Sequence, residues 1–277
     1  MEGRTASVNS LNGNGTITDL VGGNSTLIVG ANNGGDNFTG SVQDGTGTVN
    51  VTKVGTGSQT LSGLNSATGV LAVNGGMLAV DGAWGGTATV AAGATLGGSG
   101  SVDGSVNADG TIAPGNNPGV LSTGDVTFAD GSAFNVEING IIPGAGLGGY
   151  DQLNVTGSVS IGNLVSLTTI LGPAFEPFDG DEFVIINNDG LDSVVGTFAG
   201  LAEGTTFDVD GQTLTITYVG GDGGNDVVLL GQGTPSTLIT LDASNNLLVR
   251  DVNGGASNDT LTIISEQRCV AKRRKLA

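Results

Sequence analysis

From Thr52 to Gly119 the chain is a run of short apolar pairs, among them Leu71/Val73, Leu78/Val80 and Leu96, cut apart every few residues by Gly, Asn, Asp and Ala. That punctuation excludes a stable helix, because glycine and asparagine interrupt any apolar stripe of helical period before it can build a buried face. The pattern fits a strand of about three to five residues, a turn, and another strand, repeated.

The rest of the composition agrees. Glycine accounts for 52 of 277 residues, without the strict triplet period of collagen. The apolar residues are mostly Val, Leu, Ile and Ala alternating with Thr, Ser and Asn, a mixture that favours strands and turns over disorder. Residues 1–51 show the pattern first, with strands expected at Thr16–Leu20, Thr26–Val29, Phe38–Val42 and Thr48–Val51. Related turns then recur every ~18–25 residues, within the repeat range of solenoids. A parallel β-helix accounts for this: short strands stack on the next coil at ~4.8 Å, and inward Val, Leu and Ile form one continuous column.

Past Gly119 the texture changes. Alternating strands lengthen, as in Phe134/Val136/Ile138 and Leu214/Ile216/Tyr218, and seven of the eight Phe lie between 128 and 207. Residues 120–232 are therefore read as a broader capping β region following the repeat region 52–119 and the N-terminal coils 1–51. Residues 233–264 are read as a short β unit, too small to bury a core alone, which is expected either to dock on the preceding domain or to be the start of a truncated module. Residues 265–277, SEQRCVAKRRKLA, are basic and glycine-free, a tail outside the domain.

Charge excludes several functions. The chain has 26 acidic and 8 basic residues, for a net charge of −18. Only Arg4, Lys53 and Arg250 are basic before residue 268, so residues 1–267 set 3 basic against 26 acidic groups, a net of −23. Such a surface repels phosphate backbones, which excludes nucleic acid as a partner. It suits hard cations such as Ca²⁺. With no His and a single Cys, Cys269, the chain can form neither an internal disulfide nor a Cys/His zinc site nor a histidine-based triad. No apolar run approaches the ~20 residues of a membrane helix, so the chain is not expected to span a membrane with one. The opening MEGRTASVNSLNGNG lacks the apolar core of a signal peptide, so an exported protein containing this chain is expected to be longer or to start elsewhere.

Thr52–Val80, TKVGTGSQTLSGLNSATGVLAVNGGMLAV, resembles the autotransporter-associated β-strand repeat, whose pattern is a TKxGxGxxTLSGxNxxTG opening followed by VNxGxLxV. The blocks LGGSGSVDGSVNADGTIAPGNNPGVLSTGDVTF, YDQLNVTGSVSIG and GDEFVIINNDG resemble the segments C-terminal to such repeats in bacterial surface proteins, as do VVGTFAGLAEGTTF and YVGGDGGNDVVLL. The resemblance covers roughly residues 40–230. It implies a right-handed parallel β-helix, extracellular or at a bacterial cell surface. The family's outer-membrane barrel has no counterpart in this sequence, and only one clear repeat is present.

Candidate chemistry is sparse. Gly254–Thr262, GGASNDTLT, fits the calcium-binding nonapeptide G-G-x-G-x-D-x-U-x except that Ser257 replaces a glycine, and Gly220–Val228, GGDGGNDVV, is a looser version. Asp222, Asp226 and Asp259 are the candidate Ca²⁺ ligands, set against plain Gly/Asn/Asp turns. Asp179, Asp181 and Glu182 form a carboxylate cluster that could serve glycoside hydrolysis, set against a solvated turn before a strand. Gly144–Gly149 matches G-x-G-x-x-G, but a strand comes next where a dinucleotide site needs a helix. Trp84 offers a platform for a sugar ring or a cover for the edge of the solenoid.

Three functions are carried forward. The first is a non-enzymatic, exported or cell-surface β-solenoid segment with a structural or adhesive role, meeting surface polysaccharide or other cell-surface proteins and requiring no cofactor. The second is a calcium-stabilised surface module, and the third a polysaccharide-acting β-helix enzyme.

Overall fold

The computed structural model describes residues 4–115, 118–144, 148–173 and 175–233, and the backbone of Thr237–Leu241 and Leu247–Asp251. Two compact units divide after Gly233. In the second, Thr237–Leu241 and Leu247–Asp251 pair antiparallel.

The first unit is all-β, with no helix among its described residues and hence none long and apolar enough to cross a membrane. Its chain visits three sheets in rotation. Leu71–Val73 belongs to the first sheet, Met77–Val80 to the second and Ala83–Trp84 to the third, and Ala88–Val90 returns to the first beside Leu71–Val73. Eight strands of the first sheet are parallel and lie in sequence order, from Thr5–Val8 to Val159–Ile161. Leu71, Ala88, Val106 and Val126 are successive partners, so a circuit takes 17, 18 and then 20 residues.

Because each circuit lies in register on the last, alternation along a strand becomes columns across strands. Leu27, Val51, Leu71, Ala88, Val106, Val126 and Val159 form one inward column of the first sheet. The second inward column runs Val29, Lys53, Val73, Val90, Ala108, Phe128 and Ile161. Lys53 is thus a fully enclosed lysine in an aliphatic column. Its ammonium donates to the carbonyls of Val54 (2.8 Å), Gly55 (3.2 Å) and Gly75 (3.2 Å), joining the turns of two successive circuits. Gly30 packs beside it with φ +94°, and a Cβ there would lie 2.1 Å from the Val54 carbonyl oxygen, so only glycine fits.

The turns repeat a second device. A side-chain oxygen from one circuit accepts a backbone N–H from the next: Asn33 from Thr56, Asp44 from Thr68, Asn50 from Val70, Asp125 from Ser158 and Asp130 from Asn163. Three aspartates and two asparagines thus satisfy turn backbone N–H groups across adjacent circuits.

Two expectations are revised. Phe38–Val42, read as one strand, is two: Asn37–Phe38 in the second sheet and Ser41–Gln43 paired with Thr16–Thr18. Phe38 and Val42 both point inward, but from either side of a corner at Thr39–Gly40. Trp84 is neither a sugar platform nor an edge cover. It is completely buried, with its indole N–H donating to the Gly69 carbonyl at 3.1 Å.

At the far end the interior is filled by larger side chains. Phe128 and Phe134 meet edge to face at 5.5 Å, and Phe134 stacks on Phe198 at 6.0 Å. The third sheet changes character there. Glu182–Asn188 is parallel to Gln152–Val155 on one side and antiparallel to Asp226–Gly231 on the other, and Gln212–Gly220 and Thr206–Val209 continue antiparallel.

This packing leads to two expected outcomes. Trp84→Ala should cost about 3–5 kcal/mol in denaturant unfolding, the range for emptying a large aromatic site in a core. A loss under about 1 kcal/mol would mean the indole is not enclosed. The second concerns pH. Hydrogen bonds from the Val21 N–H and the Ser25 hydroxyl hold Asp19 below the ordinary value of 3.8. The Asn12 amide and Asn37 N–H act likewise on Asp36, and the Ser158 N–H and hydroxyl on Asp125. Folding favours the ionised form of each, so their contribution is present above pH 3.8 and lost as pH falls through the lower folded values. Urea titrations followed by Trp84 fluorescence should show stability falling as pH drops below ~4; an undiminished midpoint at pH ~2.5 would contradict the assignment.

Candidate functional site

Where the third sheet turns antiparallel, Asn188, Asn225 and Asp226 are buried together. Strand Asp226–Gly231 comes after a hairpin turn whose Gly221, Gly223 and Gly224 all have positive φ, +67°, +112° and +74°. L-side chains rarely adopt that region, which is why the sequence reads GGDGG here. The turn brings Asn225 and Asp226 against the end of strand Glu182–Asn188 and the loop after it.

Asn225 and Asn188 organise the contact. The Asn225 amide nitrogen donates to three carbonyls, Asn188 (3.1 Å), Asp189 (3.3 Å) and Asp192 (3.1 Å). The Asn188 amide nitrogen donates to Asp192 O at 2.7 Å, and the Asn188 backbone N–H donates to Asp226 Oδ1 at 2.8 Å. With both nitrogens committed to carbonyls, the orientation of each amide is settled by its partners. Both side-chain oxygens, Asn188 Oδ1 and Asn225 Oδ1, are left buried and without a hydrogen-bond partner, although the residues are 3 % and 2 % exposed.

Asp226 is itself 3 % exposed. Burial pushes its carboxyl above the ordinary range, the Asn188 N–H opposes this, and the nearby Asp222 carboxylate adds to it. Asp222 stands exposed on the turn. Both line a cavity of 480 Å³ with Glu182, Asn187, Gln152 and Tyr150. Of the expected calcium ligands, the structure brings Asp222 and Asp226 together, and Asp259 lies outside the described residues. No three carboxylate, imidazole or thiol groups converge among the described residues, so any cation here would depend on amide and carbonyl oxygens as well.

The other candidates separate. Asp181 Oδ2 accepts the Phe178 N–H at 2.9 Å within its own turn, while Glu182 faces the cavity. Of the G-x-G-x-x-G match, residues 145–147 lie outside the described residues, and Gly149–Tyr150 is a strand.

Sequence reasoning missed Asn188, Asn225 and Asp151. Asp151 is 6 % exposed and accepts the backbone N–H groups of Gly119 and Glu137, each at 2.8 Å. It ties the turn after Pro114 to strand Ala133–Ile138. Burial pushes it up to about 6, against those two hydrogen bonds and with the Glu137 charge adding to the rise. The available signal was its place inside the YDQLNV strand pattern, where a polar residue is out of phase.

Folding favours the protonated form of Asp151, so its contribution is full below pH 3.8 and is lost as pH rises to about 6. The stability difference between wild type and Asp151→Asn should therefore change between pH ~4 and ~6 and level off above pH ~7. Parallel pH profiles for the two proteins would refute this.

No protein-family model matches the chain, and no curated protein matches it. What it does is therefore argued from its own residues.

Proposed function

We propose that this chain is a structural segment of a bacterial surface protein, a right-handed parallel β-helix closed by a broader β cap. The observation that carries the proposal is the rotation of the chain through three sheets, with each circuit in register on the last. Connections between parallel strands of one sheet are right-handed with few exceptions, which supports the hand. The antiparallel strands after Asp181 extend the third sheet and pair the free edge of Glu182–Asn188.

In this reading the product of the fold is a surface. Backbone bonding between circuits makes it stiff, and its acidic turns keep it soluble and resistant to edge-to-edge association. Its role is structural or adhesive, with surface polysaccharide or other surface proteins as partners. The likeness of Thr52–Val80 to the autotransporter-associated repeat supports the location. The enzyme reading has less support, because Asp181 is engaged within its own turn and Lys53 is enclosed by three carbonyls.

Antibody labelling of intact producing cells should detect the chain without permeabilisation, and a panel of polyuronides and neutral polysaccharides should show no turnover. Confinement to the cytoplasmic fraction would overturn the surface role. Turnover of a polyuronide that is lost in Asp181→Asn would establish the enzyme instead.

A further inference from the structure

The 480 Å³ cavity beside the third sheet holds polar side chains whose bonding is incomplete. Its lining comes from three places: the paired strands Gln152–Val155 and Glu182–Asn188, the paired strands Ile142–Pro143 and Gly149–Tyr150, and the turn ahead of Asp226. Gln152, 8 % exposed, donates its amide nitrogen to the Val184 carbonyl at 2.8 Å. That bond fixes the amide and leaves Oε1 with no donor among the described residues. Asp226 accepts the Asn188 N–H at Oδ1, and its Oδ2 likewise has no donor among the described residues. Tyr150, 3 % exposed, accepts the Val184 N–H at 3.3 Å and keeps its own hydrogen to give. Burial raises this hydroxyl above 10.0, the Val184 hydrogen bond opposes the rise, and the Asp226 charge adds to it, so the hydroxyl stays a donor at neutral pH. A polar atom enclosed without a partner is costly, and side chains held this way around one cavity mark where a partner arrives.

The rim adds acceptors. Glu182, Asp222 and Asn187 are exposed and line the same cavity, and Asn187 has its amide nitrogen on Asn154 Oδ1, leaving its own oxygen to accept. The ligand must therefore bring several donors and accept at least once, from Tyr150. Hydroxyl groups do both. The acceptors do not converge on a point, since no three carboxylates gather closely enough to hold a metal among the described residues. Acceptors spread around a cavity suit donors spread around a ring. Pro143 and Val184 add apolar surface for the C–H groups of such a ring. The volume falls within the ~300–1,000 Å³ of small-molecule sites. Glu182, Asp222 and Asp226 would repel an acidic sugar.

The geometry points to a binding site for a neutral sugar unit of a polysaccharide, held by Tyr150, Gln152, Glu182, Asn187, Asp222 and Asp226. This rests on the surface reading above and names the class of its polysaccharide partner. The site binds without turnover. In the free protein, water occupies the same hydrogen-bonding positions, and displacing it keeps the affinity for one sugar unit low, a Kd of about 1–10 mM.

Saturation-transfer NMR on the full chain provides the test, with the methyl α-glycosides of glucose, mannose and galactose, and with sodium galacturonate and glucosamine as charged counterparts. At least one neutral glycoside at ~10 mM should receive saturation, and galacturonate should receive none. Ring resonances of Tyr150 should shift on titration while those of Tyr218, which does not line the cavity, stay in place. Glu182 is exposed, so Glu182→Ala should fold with unchanged Trp84 emission and weaken binding about tenfold, the effect of losing a hydrogen bond to a charged group. Asp210→Asn, in the turn after Val209, should bind as wild type does. Silence from all three neutral glycosides, equal binding of galacturonate, or a Glu182→Ala protein indistinguishable from wild type would each overturn the site. Binding of glucosamine alone would overturn it in favour of a cationic ligand. These measurements do not depend on where the chain resides: sugar binding by a cytoplasmic protein would refute only the surface location, and a surface protein that binds none of the glycosides would refute only this site.

Discussion

The structure depends on backbone hydrogen bonds that run between circuits rather than within them. A three-residue strand such as Leu71–Val73 has no stability of its own, and it exists because Gly47–Lys53 lies on one side and Ala88–Val90 on the other. Each circuit must therefore repeat the path of its neighbour closely enough to keep register, and the turns bear that demand. They meet it in two ways. Glycine permits close backbone approach, as at Gly30, and Asp or Asn side chains take up N–H groups of the adjoining turn, as Asp125 does for Ser158.

This gives the acidity a structural cause. Carboxylates accept and do not donate, so a turn rich in unpaired N–H groups selects for them. Lysine plays the reverse part once, at position 53, where stacked turns present three carbonyls to its ammonium. Asn225 does the same with an uncharged amide at the other end of the unit, where three further carbonyls converge. The carbonyl-rich corners are thus closed by groups of different charge, and the choice of a neutral one at Asn225 leaves the surrounding carboxylates without an internal counter-charge.

The widening of the core comes from side-chain volume. Columns of Val, Leu and Ala suffice while the circuits are short. Where the circuit lengthens to the 33 residues between Val126 and Val159, the interior is filled by Phe128, Phe134 and Phe198. Parallel strands cannot close their own end, since the last one presents unpaired backbone. The antiparallel strands Asp226–Gly231 and Gln212–Gly220 take up that edge on Glu182–Asn188, and polar loops meet as a result.

Much of this was legible in the chain itself. The two-residue alternation, the glycine and asparagine punctuation and the return of related turns specify short strands, many turns and an all-β unit, because these are local properties of the backbone and of side-chain pattern. The shift to Phe after residue 128 likewise announced a wider interior. The sequence by itself also removed whole classes of chemistry, through the missing histidines and the lone Cys269. Only the tertiary structure decided which turns touch. It placed Lys53 and Trp84 inside, although each reads as a surface residue, because circuit stacking encloses whatever lies at an inward position. It also set Asn188 and Asp192 beside Asn225 and Asp226, residues more than 30 positions apart. Alternation states which way a residue faces; it carries no record of what waits on the neighbouring strand, and that pairing is fixed only when distant segments pack.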